Sequence, residues 1–147
     1  MGIVLVSDVF GVTSGLMKTS IALGAQAIVD PYKGQIMAFK HETEAYSYFI
    51  NEIGFDNYLS HLISEIELIK PPITLIGFSV GATTIWRLSD HQVAHRIKHA
   101  FCYYGSQIRN FSAISPCFKT HVILPKSEPH FSVSSLQSTL VVKKMLK

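Results

Sequence analysis

The residues of this chain best suited to chemistry are Gly77-Phe78-Ser79-Val80-Gly81. They follow the apolar run Ile73-Thr74-Leu75-Ile76 and precede a segment able to form a helix from about Val80 to Leu88. Where a strand turns sharply into a helix through G-x-S-x-G, the central residue is forced into a strained backbone conformation. Its hydroxyl then stands exposed above the carboxyl edge of the sheet, where it can attack a carbonyl carbon. Gly77 and Gly81 suit positions at which a Cβ would collide with the opposed strand or helix, and Ala82 extends the run of small residues. The helix N-terminus also favours negative charge developing near Ser79.

Acyl transfer further needs donors for the oxyanion. In turns of this kind one donor is the backbone N–H after the nucleophile, and another comes from an earlier strand-to-helix turn. Val80 holds the first position. Val9, just past the opening strand, is placed for the second.

These groups must be carried by a scaffold, and the chain reads as an alternation of strands and helices. Ile3 to Val6 is apolar without polar alternation, as suits a strand buried on both faces. Thr13 or Ser14 predicts the cap of a helix that reaches Leu23 and stops at Gly24. Ala25 to Val29 predicts a second strand, and 33–40 a loop. A helix is expected over Glu42 to Ile53, and another over Asp56 to Ile69 with Asp56 as its N-cap. In the latter, Leu59, Leu62, Ile63, Ile66 and Ile69 fall on one face. Further strands are expected at Ala100 to Tyr104 and His121 to Leu124, and a last helix over Val133 to Leu146. The expected fold class is α/β, a mostly parallel sheet of about five strands with helices on both faces.

With 147 residues, the chain is expected to form one domain over 1–147, within the common range of roughly 100–200 residues. Hydrophobic residues make up 48% and charged ones 16%, which argues against disorder. The net charge of +3 is scattered, with no basic stripe of the kind that binds nucleic acid. Pro71 to Trp86 is the longest apolar stretch without charge, and its sixteen residues fall short of the about twenty that a membrane span needs. Gly2 to Val6 lacks a positive leader and a cleavage site, and Cys102 and Cys117 make neither a disulfide framework nor a zinc pattern. A cytoplasmic location is therefore expected. No G-x-G-x-x-G opens a helix after a strand, and no P-loop lysine motif occurs, which argues against a nucleotide-binding module.

Taken in order, several pieces resemble the dienelactone hydrolase family of the α/β-hydrolase superfamily. They are Ser7-Asp8-Val9-Phe10-Gly11-Val12, Val29-Asp30-Pro31-Tyr32, Ile76 to Ala82, Cys102-Tyr103-Tyr104-Gly105 and Pro125 to Val133. The resemblance implies an α/β-hydrolase-like core acting on a small ester or lactone without metal or organic cofactor. Ser79 would stand where founding members have cysteine, Glu128 at the acidic triad position, and Asp8 where a group could poise the nucleophile. As a residue, Asp8 after a strand reads equally well as a turn former.

The base is the open element. The family pattern places a histidine after a further helix and strand, but nineteen residues follow Glu128 and Gln137 to Lys147 has no histidine. His130 is the one later histidine, two residues from Glu128, and it reads either as the base or as an ordinary loop residue. A base must lie within about 3 Å of the serine hydroxyl and be oriented by its acid. His91, His95 and His99, four residues apart, read as a helix face that is solvated rather than metal-binding. Tyr32, Tyr103, Tyr104 and Arg109 read either as pocket residues or as buried aromatics and a surface arginine. The resemblance covers the central part of the family fold, so a chain cut short at its C-terminus is expected. An exposed terminal strand favours association, hence a homodimer. The alternative to a working hydrolase is an impaired relative that binds a ligand or partner.

Overall fold

The computed structural model describes residues 2–124. Its strands are β1 (Gly2–Val6), β2 (Ala27–Val29), β3 (Ile73–Phe78), β4 (Ile97–Tyr103) and β5 (Lys119–Ile123). All pair in parallel, in the order β2-β1-β3-β4-β5. The helices are α1 (Ser14–Leu23), α2 (Glu42–Tyr48), α3 (Phe55–Glu67) and α4 (Val80–Arg87). The fold is α/β, as the alternation of elements predicts.

Strand periodicity sends alternate side chains to opposite faces. Val4, Val6, Leu75, Ala100 and Cys102 go to one core, shared with Tyr58, Leu62 and Ile66 of α3 and Ile85 and Trp86 of α4. Chain order moves from β1 to β2 in one direction and from β2 to β3 to β4 in the other. Right-handed crossovers therefore put α1 on the face opposite α3 and α4. The reversal between β1 and β3 makes a switch point, where open α/β sheets commonly hold ligands beyond the carboxyl ends of their strands.

Helix ends follow local chemistry. The Thr13 side chain accepts from the Leu16 N–H at 3.1 Å, and Gly24 closes α1 in the left-handed region at φ 65°. The expected Asp56 cap is not observed. The chain enters α3 through Gly54 at φ 82°, ψ 161°, a glycine conformation, and Asp56 lies in the first turn, where it pairs with Arg87 at 2.8 Å. The expected helix over 42–53 is α-helical only to Tyr48, then continues as a π-helical turn, Phe49–Ile53. That turn carries Phe49 into the core, edge-on to Phe55 and Tyr58 at centroid distances of 5.2 and 5.8 Å.

Strand β4 begins at Ile97 rather than Ala100: Ile97 and His99 already pair with Ile73 and Thr74 of β3, and the register shift between them leaves Lys98 at a bulge. β2 begins two residues later than expected, at Ala27. The expected helix Val133 to Leu146 and the turn Pro125 to His130 lie outside the described residues.

Candidate active site

Ser79 joins β3 to α4 with φ 55° and ψ −114°. A side chain is disfavoured there, and such strain persists only where the surroundings enforce it. They do so on three sides. The Ser79 N–H donates to the Tyr103 carbonyl at 2.8 Å, fixing the turn to the end of β4. A Cβ on Gly77 would lie 2.5 Å from Ile85 Cδ1 and 2.9 Å from the Ala82 nitrogen, so α4 can fold back on β3 only over a glycine. A Cβ on Gly81 would collide with the Val6 carbonyl and lie 2.5 Å from the Ser7 carbonyl, so α4 also presses against the end of β1. The collisions expected for both glycines are present.

The half-buried Ser79 opens on a cavity of about 370 Å³ above the carboxyl edge of the sheet. Phe10, Leu16, Phe78 and Tyr104 give it apolar walls, and Asp8 contributes a carboxyl. Tyr104 is itself at positive φ, 56°, with its N–H on the Ile123 carbonyl at 2.8 Å. Of the other suggested pocket residues, Tyr103 stacks on Phe78 at a centroid distance of 5.6 Å, and Arg109 lies in the 3₁₀ segment Ser106–Phe111. A larger cleft, about 630 Å³, lies along α3 beside Lys33 and His61. Its serines, Ser60 and Ser64, lie within α3 rather than at a strand-to-helix turn, and the Ser64 hydroxyl donates to the Ser60 carbonyl at 3.1 Å.

Asp8 is the turn former that its place after a strand suggests. Its Oδ1 accepts from the Phe10 N–H at 2.9 Å, and its carbonyl accepts from Gly11 N–H and the Ser7 hydroxyl at 3.2 and 3.0 Å. It also lines the cavity at Ser79. Burial raises its pKa; the Phe10 hydrogen bond opposes this, and the nearby Glu42 charge adds to it.

The two proposed oxyanion donors are backbone groups. Val80 is the first residue of α4, so its N–H has no helical carbonyl one turn back to donate to. The Val9 N–H, between the cavity residues Asp8 and Phe10, meets no acceptor among the described residues. Both side chains are buried in the core.

Two tyrosines hold the edge of this turn: Tyr58, which no motif marked, and Tyr32, which is a buried aromatic and does not line the cavity. The Tyr58 hydroxyl, on α3, donates its one proton to the Ser7 carbonyl at 2.8 Å, with the Val29 carbonyl sharing it at 3.2 Å, and the Tyr32 hydroxyl donates to the Val9 carbonyl at 2.5 Å. Tyr58 sits on the apolar stripe of α3, and a polar tip on a buried stripe was the available signal.

The Ser79 hydroxyl has no hydrogen-bond partner among the described residues, and none of their six histidines lines its cavity. Glu128 and His130 lie outside the described residues. His91, His95 and His99 do not share a helix: His91 precedes the 3₁₀ segment Gln92–Arg96 that contains His95, and His99 is in β4. Among the described residues, no three metal-ligating side chains gather, and no helix is long and apolar enough to cross a membrane.

Against solved structures, the chain superposes on a dienelactone hydrolase-like promiscuous phosphotriesterase from metagenomic libraries with a TM-score of 0.62 and 15% identity. The match covers 99% of this chain and 67% of that one. The fold is that of dienelactone hydrolase-like proteins. A second such match, to m3DLH, has a TM-score of 0.57 and 12% identity, again over 99% of this chain and 67% of the other. In sequence, an uncharacterized protein of Bacillus subtilis (strain 168), YczH, is 26% identical over 151 residues, which cover 97% of this chain and 70% of YczH. No protein-family model matches. The described residues with this fold include Ser7 to Val12, Val29 to Tyr32, Ile76 to Ala82 and Cys102 to Gly105, and Pro125 to Val133 lies outside them.

Proposed function

We propose that the protein is a serine hydrolase of small esters or lactones. One observation carries the reading: Ser79 is held at φ 55°, ψ −114° between β3 and α4, against the opening of a cavity, by glycines that nothing larger can replace. Strain of that kind costs on the order of 1–3 kcal/mol and clusters at functional sites.

The Ser79 hydroxyl oxygen attacks the ester carbonyl carbon while a base takes its proton. His130, oriented by Glu128, is the residue assigned to that role. The carbonyl electron pair moves onto oxygen, where the Val9 and Val80 N–H groups stabilise it, a contribution typically worth about 3–4 kcal/mol per donor. Collapse expels the alcohol, which takes the proton back from the base. Water, deprotonated by the same base, then attacks the acyl-serine, releases the carboxylic acid and restores Ser79. No metal or organic cofactor takes part. The walls made by Phe10, Leu16, Phe78 and Tyr104 suit a short apolar acyl or alkyl group. The hydrolase-like fold supports the reading, and the protein is assigned to the cytoplasm as a single domain able to dimerise.

Hydrolysis of p-nitrophenyl acetate by the wild type, compared with Ser79→Ala, tests it. A rate that falls by at least about a thousandfold supports nucleophilic catalysis. The Ser79 hydroxyl, unpartnered among the described residues, also suits a second reading, a ligand-binding relative without turnover. Equal rates in the two proteins would favour that reading.

A further inference from the structure

The turn carrying Val9 is held in an unusual way. Three successive carbonyls, those of Ser7, Asp8 and Val9, are engaged by four donors. Tyr58 Oη donates to Ser7 at 2.8 Å, the Ser7 hydroxyl and Gly11 N–H donate to Asp8 at 3.0 and 3.2 Å, and Tyr32 Oη donates to Val9 at 2.5 Å. A trans peptide points its N–H opposite its carbonyl. Holding the Asp8 carbonyl therefore fixes the direction of the Val9 N–H, and holding the carbonyls on either side stops that peptide from rotating.

The two tyrosines are themselves anchored. Tyr58 is completely buried in α3, and its hydroxyl reaches the Val29 carbonyl, which also accepts from the Ser7 N–H at 2.9 Å. Tyr32 is fixed by buried Asp30, whose carboxylate accepts from the N–H groups of Tyr32 and Gly34 at 2.9 Å each. The Tyr32 ring fits against the turn because residue 11 is glycine: a Cβ there would lie 2.7 Å from Tyr32 Cδ2. Gly11 also takes φ +71°, which glycine alone adopts freely. Burial raises the pKa of both phenols. They remain donors over the whole working pH range.

We propose that Tyr32 and Tyr58 are positioning residues that hold the Val9 N–H as a preset oxyanion donor beside Ser79. This rests on the hydrolase reading above. Neither hydroxyl touches the substrate; both act through the backbone of one turn. Preset donors stabilise transition-state charge because no reorganisation is needed when that charge appears.

The test compares Tyr32→Phe and Tyr58→Phe with wild type, using Tyr46→Phe on exposed α2 as the control. Phosphonate titration counts the competent sites in each protein, so unfolded material does not register as lost rate. On p-nitrophenyl acetate, kcat should fall by roughly ten- to a hundredfold in each of the two variants, as for a misplaced catalytic group. KM should change little, and Tyr46→Phe should match wild type. Affinity for an alkyl trifluoromethyl ketone, which adds to serine as a tetrahedral oxyanion, should fall in parallel with kcat. Unchanged kcat per competent site, with only the melting temperature lowered, would reduce both tyrosines to stabilising roles and overturn the proposal. A measurement on wild type covers the case in which a variant does not fold: the Val9 amide proton resonance should move downfield when the ketone adduct forms, and a stationary resonance would overturn the proposal. Failure of wild type itself to hydrolyse the ester or form the adduct would instead overturn the hydrolase reading.

Discussion

Gly81 approaches Ser7 so closely that a Cβ on the glycine would sit 2.5 Å from the Ser7 carbonyl oxygen. This contact joins the two halves of the candidate site. The Gly81 side brings the first turn of α4 with the Val80 N–H, and the Ser7 side brings the turn with Asp8 and the Val9 N–H. Gly81→Ala must therefore push α4 away from β1. A loss of about 3 kcal/mol in unfolding free energy is expected, at the upper end for overpacking a dense core. Urea denaturation measures it, and a loss below about 0.5 kcal/mol would mean the contact is not enforced.

The strain at Ser79 yields a reversal of the usual order of residues. Replacing alanine by glycine ordinarily destabilises an ordered segment by roughly 0.5–1 kcal/mol. At φ 55°, ψ −114° the Cβ is the liability, so Ser79→Gly should be more stable than Ser79→Ala by about 1–2 kcal/mol. Chemical denaturation of the two variants decides the sign. Alanine emerging as the more stable would contradict the elbow conformation itself.

Asp8 gives a pH dependence with a definite direction. Its folded pKa lies above the ordinary 3.8, chiefly through burial. Between those two values the folded chain binds more protons than the unfolded chain, so its contribution to stability falls as pH rises through that window. Asp8→Asn retains an oxygen for the Phe10 N–H and removes the titration. The stability of the variant relative to wild type should increase from pH 3.8 upwards and level off once wild-type Asp8 is ionised. Denaturation measured across pH would contradict this if the difference were constant.

Cysteine reactivity should separate cleanly. Cys102 is buried in β4, and burial pushes its thiol up to about 12, whereas Cys117 is exposed. Thiolate is the reactive form. A disulfide-exchange reagent at neutral pH should therefore modify Cys117 alone in the folded protein and both cysteines in denaturant. Prompt modification of Cys102 without denaturant would contradict the packing of β4.

Much of this architecture was legible in the residues, for local reasons. Thr13 and Gly24 bracket α1 because cap chemistry is short-range, and Gly77 and Gly81 mark the elbow because their contacts follow from one strand–turn–helix unit. Asp56 misled as a cap because Gly54, with a backbone conformation that side chains disfavour, already supplies the entry to α3. Lys98 and His99 hid the start of β4, since the strand is set there by the pairing of Ile97 and His99 with β3 around a bulge at Lys98. Tyr32 and Tyr58 were illegible as a pair. Their hydroxyls reach carbonyls 23 and 51 residues away, and only the packed sheet brings those groups together.

The central claim is that Ser79 is a nucleophile set in an oxyanion-binding turn. The most direct measurement is reaction of the folded wild type with a fluorophosphonate, followed by peptide mass spectrometry. The account predicts one adduct, on Ser79, lost in Ser79→Ala and slowed in Tyr32→Phe. A folded protein left unlabelled, or labelled equally in Ser79→Ala, would contradict it.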